Sequence, residues 1–113
     1  MPPEFRGPFP LNVETVDAEI TKISPGNYRL GLKNVGGEFV PYYVGRSDKN
    51  LNQRLKDWVG EYDWFTTAYA PSTKDAHEQE CRDYHNLNPR DNKEHPKRPA
   101  ETNLKCPICG AEC

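Results

Sequence analysis

The sequence has no apolar segment long enough to cross a membrane, and its first residues lack the basic-then-apolar order of a secretory signal. These two absences predict a cytoplasmic protein with no membrane partner. Cysteine is also scarce, at 4 of 113 residues. In a reducing compartment such cysteines are better explained by metal binding than by disulfides, so their spacing is examined for a metal site.

The chain also lacks a large net charge of either sign, since its formal charge at neutral pH is -2. This balance argues against a protein that coats nucleic acid by bulk electrostatic attraction. The local distribution is different. From Lys22 through Asp57, seven basic residues stand against three acidic ones. A basic segment within an acidic protein is typical of a localised phosphate-binding site.

Apolar residues are scarce, at 35% of the chain, while 11 prolines and 8 glycines interrupt it. We therefore expect parts of the chain to be irregular and to contribute little to a core. The proline-rich start predicts an N-terminal arm over residues 1–20, and the charged, proline-broken end predicts a tail over residues 89–113. Residues 21–88 are then one small domain, so a single site must account for function.

The centre of the domain predicts a β-hairpin followed directly by a helix. Asn27 to Leu32 alternates polar and apolar residues, and Phe39 to Val44 is aromatic and β-branched, with turn residues between them. Apolar residues then recur at helical spacing, with Ser47 or Asp48 as the N-cap and Gly60 as the stop.

A third strand and a second helix complete the predicted domain. Trp64 to Ala70 is aromatic and β-branched, and a proline ends it. Ser72 and Asp75 resemble a capping box that opens a helix reaching about Asn86. The expected fold class is α/β, with a small antiparallel sheet of about three strands flanked by helices.

The last predicted helix carries an acid on the face that should pack against the core. Its apolar residues Ala76, Tyr84 and Leu87 form a stripe, and at about 100° per residue Glu80 falls within that stripe. A buried carboxylate is costly unless a cation compensates its charge. Glu80 is therefore either the partner of an arginine such as Arg54 or a metal ligand, and taken alone the ion pair is the commoner arrangement.

Two tyrosine motifs stand on the strands of the predicted hairpin, Gly26-Asn27-Tyr28 and Tyr43-Val44-Gly45-Arg46. Arg54 on the first helix and Glu80 on the second follow in order. This ordered set resembles the motifs of the GIY-YIG nuclease superfamily. Asparagine and valine replace the middle isoleucines of the two tyrosine motifs, which are packing positions in the family. Some members of the family carry a histidine where this chain has Trp58, so we assign to Trp58 none of the roles of that histidine.

The resemblance implies hydrolysis of a phosphodiester bond. It implies that Tyr28 or Tyr43 activates or orients the attacking water and that Arg54 contacts the scissile phosphate. It implies that Glu80 holds one Mg²⁺ or Mn²⁺ ion whose other ligands are mostly water. Which tyrosine is the general base stays open at this point.

The same resemblance places the nucleic-acid contacts at the end of the second tyrosine motif. Arg46 is expected to be a second phosphate contact, and Gly45 lets the backbone come close to a ligand. The adjacent Tyr42 points to the opposite face of its strand from Tyr43, so packing or surface exposure is the better explanation for it.

A second constellation predicts a structural zinc site. Cys106 and Cys109 form a knuckle whose two thiolates can bind one zinc ion. Cys81 and His85, spaced i, i+4 on the last helix, are the expected other half of the site. A disordered tail with incidental cysteines is the alternative. The possible substitute ligands are His77, His95 and Cys113.

Three functions are compatible with these patterns. The leading hypothesis is a metal-dependent endonuclease acting on DNA, because all four catalytic residues are present. The main alternative is a nucleic-acid or protein interaction module that has the same fold and a zinc-binding tail but no turnover. A redox protein using Cys106 and Cys109 is weaker, because no thioredoxin-like order of elements surrounds them. With few basic residues, a protein partner that supplies specificity is compatible with the nuclease hypothesis.

Overall fold

The computed structural model describes residues 4–92, Pro96 and residues 106–108. These residues form an α/β fold with a four-stranded antiparallel sheet in the order β1-β4-β2-β3 and three helices. None of these helices combines the length and the apolar character needed to span a membrane. The elements are β1 (Arg6–Pro10), α1 (Val13–Glu19), β2 (Gly26–Lys33), β3 (Phe39–Ser47), α2 (Leu51–Lys56), β4 (Trp64–Tyr69) and α3 (Thr73–Leu87).

The predicted hairpin is confirmed as β2 and β3. Gly37 adopts a positive φ of 83° in the turn, and its N–H donates to the Asn34 carbonyl at 2.9 Å. This conformation is accessible to glycine at little steric cost. In the register of the hairpin, Tyr28 lies opposite Gly45 and Asn27 lies opposite Arg46. This pairing decides which side chains of the two tyrosine motifs share a face.

Both predicted helices form, but the start of α2 differs from the expectation. Its N-cap is Asn50, whose side chain accepts from the Gln53 N–H, so the prediction of Ser47 or Asp48 as the cap is wrong. Ser47 still belongs to β3, and its Oγ accepts from the Asn50 N–H at 3.1 Å. At α3 the predicted cap is confirmed, since the Ser72 side chain accepts from the Asp75 N–H.

Residues 6–20 differ from the expected N-terminal arm, because they contribute a strand and a helix to the fold. β1 pairs with β4 at the edge of the sheet, where prolines are tolerated because one side of the strand needs no ladder hydrogen bond. Leu11, Val16 and Ile20 are 6%, 0% and 2% exposed. The start of the chain is therefore part of the core.

The two faces of the sheet pack differently. The apolar core lies on the face covered by α1 and α2, and includes Tyr28, Leu30 and Phe65. Neighbouring β2 residues point the other way, toward α3: the Asn27 side chain donates to the Ala76 carbonyl at 2.8 Å, and Arg29 pairs with an acid of that helix. The α3 interface is thus held largely by polar contacts.

The start of the predicted tail covers the outer edge of β3. The Asn92 side chain accepts from the Val44 N–H at 2.7 Å and donates to the Val44 carbonyl at 3.0 Å. The Asp91 N–H donates to the Tyr42 carbonyl at 2.8 Å, and the Tyr62 hydroxyl donates to the Asp91 carboxylate at 2.7 Å. These contacts satisfy strand groups that would otherwise be exposed at a sheet edge.

Two valines of α1 test whether the start of the chain belongs to the core. Val16 is fully buried and Val13 is 45% exposed on the same helix. We expect Val16→Ala to lower the free energy of unfolding by about 2 kcal/mol, because it removes buried apolar surface and leaves a cavity. Val13→Ala should change it by less than about 0.5 kcal/mol. Urea denaturation followed by circular dichroism measures both, and equal effects would indicate that α1 is not packed.

Candidate active site

The hairpin and α2 bring the two motif tyrosines together. Tyr28 is 1% exposed, and its hydroxyl oxygen accepts from the Trp58 indole N–H at 3.0 Å. Tyr43 is half-buried on the same face, with its ring centroid 4.7 Å from that of Trp58. Trp58 therefore contacts both tyrosines, as a hydrogen-bond donor to one and as a ring neighbour of the other.

Gly45 has a packing reason to be glycine. A Cβ at this position would lie 2.5 Å from both Cζ and the hydroxyl oxygen of Tyr28. Glycine is needed so that the Tyr28 ring can lie against the backbone of β3. Gly45 is buried beneath that ring, whereas the sequence suggested close approach of a ligand.

Arg54 of α2 supplies positive charge beside the tyrosines. Its side chain is 54% exposed, and its guanidinium lies 4.0 Å from the Asp57 carboxylate. Tyr28 is the largest influence on Arg54 and raises its pKa. Burial raises the pKa of Tyr28 to about 12, although the charge of Arg54 and the Trp58 hydrogen bond act in the opposite direction. Arg54 thus combines access to solvent with an electrostatic effect on a buried phenol.

Glu80 of α3 points inward, as the helical spacing predicts, and its residue is 9% exposed. Its partner is Arg46 rather than Arg54: the Arg46 guanidinium donates through Nη1 to Glu80 Oε1 and through Nε to Asp48 Oδ1, the latter at 2.8 Å. Burial raises the pKa of Glu80, while the charge and hydrogen bond of Arg46 oppose that rise. The ion pair compensates a buried negative charge.

The charge of Glu80 also reaches the tyrosine side of the site. Burial raises the pKa of Tyr43, and the negative charge of Glu80 raises it further, while Arg54 lowers it. Arg54 also lowers the pKa of Glu80. The four residues proposed from the motifs, Tyr28, Tyr43, Arg54 and Glu80, are therefore linked by mutual electrostatic effects.

The rest of the α3 stripe differs from the prediction. Leu87 is 38% exposed and Tyr84 is only half-buried, so they do not form an apolar core face with Ala76. The buried face instead includes Asp83, to which Arg29 donates through Nε at 3.1 Å and Nη2 at 2.8 Å. Helical spacing identified the inward direction, but the partners on the sheet are polar rather than apolar.

The acid that the resemblance assigns to a divalent ion is Glu80. Within residues 4–92, Pro96 and 106–108, no three histidine, cysteine or acidic side chains lie close enough together to hold one metal ion. Glu80 is a buried carboxylate that already holds a positive charge, the Arg46 guanidinium. A single carboxylate with a hydration shell is a common arrangement for Mg²⁺.

The predicted zinc ligands are only partly within the described residues. Cys81 and Cys106 are 0% and 2% exposed, while Cys109, like the substitutes His95 and Cys113, lies outside the described residues. Cys81 Sγ lies 3.6 Å from Nε2 of His77, which is fully buried. The ring of half-buried His85 packs edge-on against Tyr84, with centroids 5.2 Å apart. The substitute ligand His77 thus lies beside Cys81.

Sequence reasoning missed two members of this site. Asp48 was expected as a helix cap but instead holds the Arg46 guanidinium. Trp58 was expected only as part of the apolar helical face, yet it donates to the Tyr28 oxygen. The alternation of β3 could have suggested Asp48, because residues two apart on an extended chain share a side. No local pattern identifies the indole as a donor to a tyrosine 30 positions earlier.

Comparisons with models of protein families, with curated proteins and with solved structures found no match for this chain. The resemblance to the GIY-YIG superfamily therefore rests on the tyrosine motifs, Arg54 and Glu80 in their order along the sequence.

Proposed function

We propose that this protein is a metal-dependent endonuclease of the GIY-YIG type that hydrolyses phosphodiester bonds of DNA. The observation that carries the proposal is the meeting of Tyr28 and Tyr43 at Trp58, with the charge of Arg54 acting on both tyrosines and with Glu80 buried on α3. The four motif residues come from two strands and two helices that are separated in sequence. Clustered titratable groups with shifted pKa values are typical of functional sites.

Tyr43 is the better candidate for the residue that takes a proton from the attacking water. Tyr28 is 1% exposed and its oxygen already accepts from Trp58, so water has little access to it. Tyr43 is half-buried and so keeps part of its surface exposed. Tyr28 then acts by holding Trp58, as a positioning residue.

The arginines and Glu80 divide the remaining tasks. Arg54, with more than half of its side chain exposed, is placed to contact the scissile phosphate and to stabilise the charge that grows in the transition state. Arg46 is the second phosphate contact. When bound, Mg²⁺ or Mn²⁺ supplies a Lewis acid that polarises the phosphate and stabilises the leaving oxygen. Glu80 would hold that ion by its carboxylate.

The proposed substrate is DNA, bound without strong intrinsic specificity. The chain has a formal charge of -2, so attraction of the polyanion is confined to the local cations of the site. Phosphate contacts position a nuclease on its substrate but do not read sequence. A protein partner is therefore a reasonable source of specificity.

One observation favours the alternative of an interaction module without turnover. Tyr28, which the family resemblance places in catalysis, is almost completely buried and packs against Gly45, Trp58 and the apolar core. A residue used for packing in this way no longer requires the chemistry of a phenol. Cleavage assays on the variants below separate the two functions.

A structural zinc site is a second proposal, with Cys81, His85, Cys106 and Cys109 as the ligands proposed from the sequence. The buried state of Cys81 and Cys106 supports a role inside the fold. Cys81 Sγ lies 3.6 Å from His77 Nε2. A sulfur and a nitrogen that bind one tetrahedral zinc ion at ordinary bond lengths lie ~3.5 Å apart, which is close to this distance. His77 thus competes with His85 for the histidine position.

The cleavage prediction concerns Arg54 and Glu80. Arg54→Ala and Glu80→Gln should each lower the rate of Mg²⁺-dependent cleavage of a DNA panel by about a hundredfold or more, because preorganised charges contribute several kcal/mol to the transition state. Matched substitutions at the partly exposed α3 residues Arg82 and Glu78, Arg82→Ala and Glu78→Gln, should leave the rate within about twofold. Normal turnover in folded Glu80→Gln would reject the assignment of Glu80.

The pH prediction follows from the raised pKa of Tyr43. Below that pKa the phenolate fraction grows about tenfold per pH unit, so the logarithm of the cleavage rate should rise steadily from pH 7 to 9. Tyr43→Phe should abolish this slope. Tyr28→Phe should preserve it, although the rate falls. A slope that survives in Tyr43→Phe and disappears in Tyr28→Phe would reverse the two roles.

The zinc prediction is about one equivalent of zinc in the purified protein and a lower thermal midpoint after treatment with a strong chelator. Cys81→Ser and Cys106→Ser should each reduce the zinc content. His77→Ala and His85→Ala, compared side by side, identify the histidine ligand. Protein that is free of zinc after expression in zinc-replete medium would contradict the site.

A further inference from the structure

The carboxylate that would hold the divalent ion already has a positive partner. The Arg46 guanidinium donates to Glu80 Oε1, and the side chains of both residues are 12% exposed. A hydrated divalent ion and a guanidinium cannot both approach the same buried oxygen closely, because the two cations repel each other where solvent screens poorly. Arg46 therefore has to leave Oε1 before that oxygen can serve as a metal ligand.

We propose, building on the proposed function, that Arg46 is an internal cation that occupies the metal position of Glu80 in the resting protein and turns to the DNA phosphate when a divalent ion binds. Binding of metal and binding of DNA are then coupled through one side chain. Glu80 stays charge-compensated in both states, first by Arg46 and then by the ion. Arg46 is a positioning residue for the metal and a contact for the phosphate.

Asp48 gives the guanidinium a second anchor during this exchange. It accepts from Arg46 Nε at 2.8 Å, while Glu80 is bound through the separate Nη1 nitrogen. The Asp48 side chain is 37% exposed, compared with 12% for Glu80. Arg46 can therefore release the buried acid and keep the exposed one, with its terminal nitrogens then available to a phosphate.

A second arginine and acid pair between the sheet and α3 shows a different design. Asp83 accepts from Arg29 through both of its oxygens, at 3.1 and 2.8 Å, and from the Gln79 amide at 2.9 Å. The Arg29 guanidinium also lies 3.8 Å from the centroid of the Phe5 ring. Both oxygens of Asp83 are used, so this pair is a fixed link. Glu80 meets Arg46 through one oxygen, so in our proposal this is the pair that exchanges.

The test measures Mg²⁺ affinity in the absence of DNA, by titration calorimetry at pH 8. Arg46→Gln removes the competing cation and should bind Mg²⁺ about tenfold more tightly than the wild type. Arg29→Gln removes the matched guanidinium and should bind it with wild-type affinity. Glu80→Gln should abolish Mg²⁺ binding at this site, both in the wild-type protein and in combination with Arg46→Gln. If wild-type binding depends on Glu80 but Arg46→Gln binds Mg²⁺ no more tightly than the wild type, the inference is overturned. The proposed function is not affected by that result.

Wild-type protein provides a test that does not depend on the folding of any variant. In ¹⁵N spectra of arginine side chains, Mg²⁺ should shift the Arg46 guanidinium resonances and leave those of Arg29 in place. An Arg46 signal that does not respond to saturating Mg²⁺ would overturn the exchange. If Mg²⁺ moves Arg46 but no DNA substrate is cleaved, the exchange stands and the nuclease proposal fails.

The contact of Arg46 with the DNA phosphate is tested by measuring the affinity for a short DNA duplex by fluorescence anisotropy. A chelator is present, so that no divalent ion is bound. Glu80→Gln weakens the ion pair without metal, so it should bind the duplex more tightly than the wild type, by about threefold or more. The double variant Glu80→Gln, Arg46→Gln should lose that gain. A gain that persists in the double variant would show that Arg46 does not reach the phosphate.

Discussion

The buried carboxylate of Glu80 is the constraint around which α3 and the sheet are arranged. A charge in that position is stable only beside a cation, and Arg46 of β3 supplies one, held in turn by Asp48. The Arg29–Asp83 pair repeats the same solution, and the Asn27 side chain donates to the Ala76 carbonyl along the same interface. Helix α3 is thus docked by specific polar partners, which fixes its position on the sheet more narrowly than apolar packing would.

This arrangement explains how a chain with few apolar residues builds a fold. The apolar residues are concentrated on one face of the sheet, beneath α1 and α2, where the cluster around Tyr28, Leu30 and Phe65 lies. The other face uses ion pairs and amide hydrogen bonds. Charged groups from α3 and from the tyrosine face influence one another across β3, as Glu80 and Tyr43 do. The proposed nuclease chemistry combines Tyr43 from the apolar face of the sheet with Glu80 from the charged face.

Prediction from sequence succeeded where the information is local. The hairpin, the third strand and the Ser72 cap follow from alternation, turn residues and a side chain that bonds three positions ahead. It failed at β1, because Arg6 pairs with Thr67 across some sixty residues and prolines there indicate an irregular arm. The candidate site divides in the same way. The inward direction of Glu80 was predictable, but its partner was not.

The sequence by itself determined the hairpin, β4, α2 and α3, and that an acid on α3 must face inward, because helical and extended periods are set by neighbouring residues. Only the tertiary structure decided that Arg46 compensates that acid and that Trp58 donates to Tyr28. Both contacts join residues about thirty positions apart. In each case packing of the whole chain selects among partners that local spacing leaves equivalent.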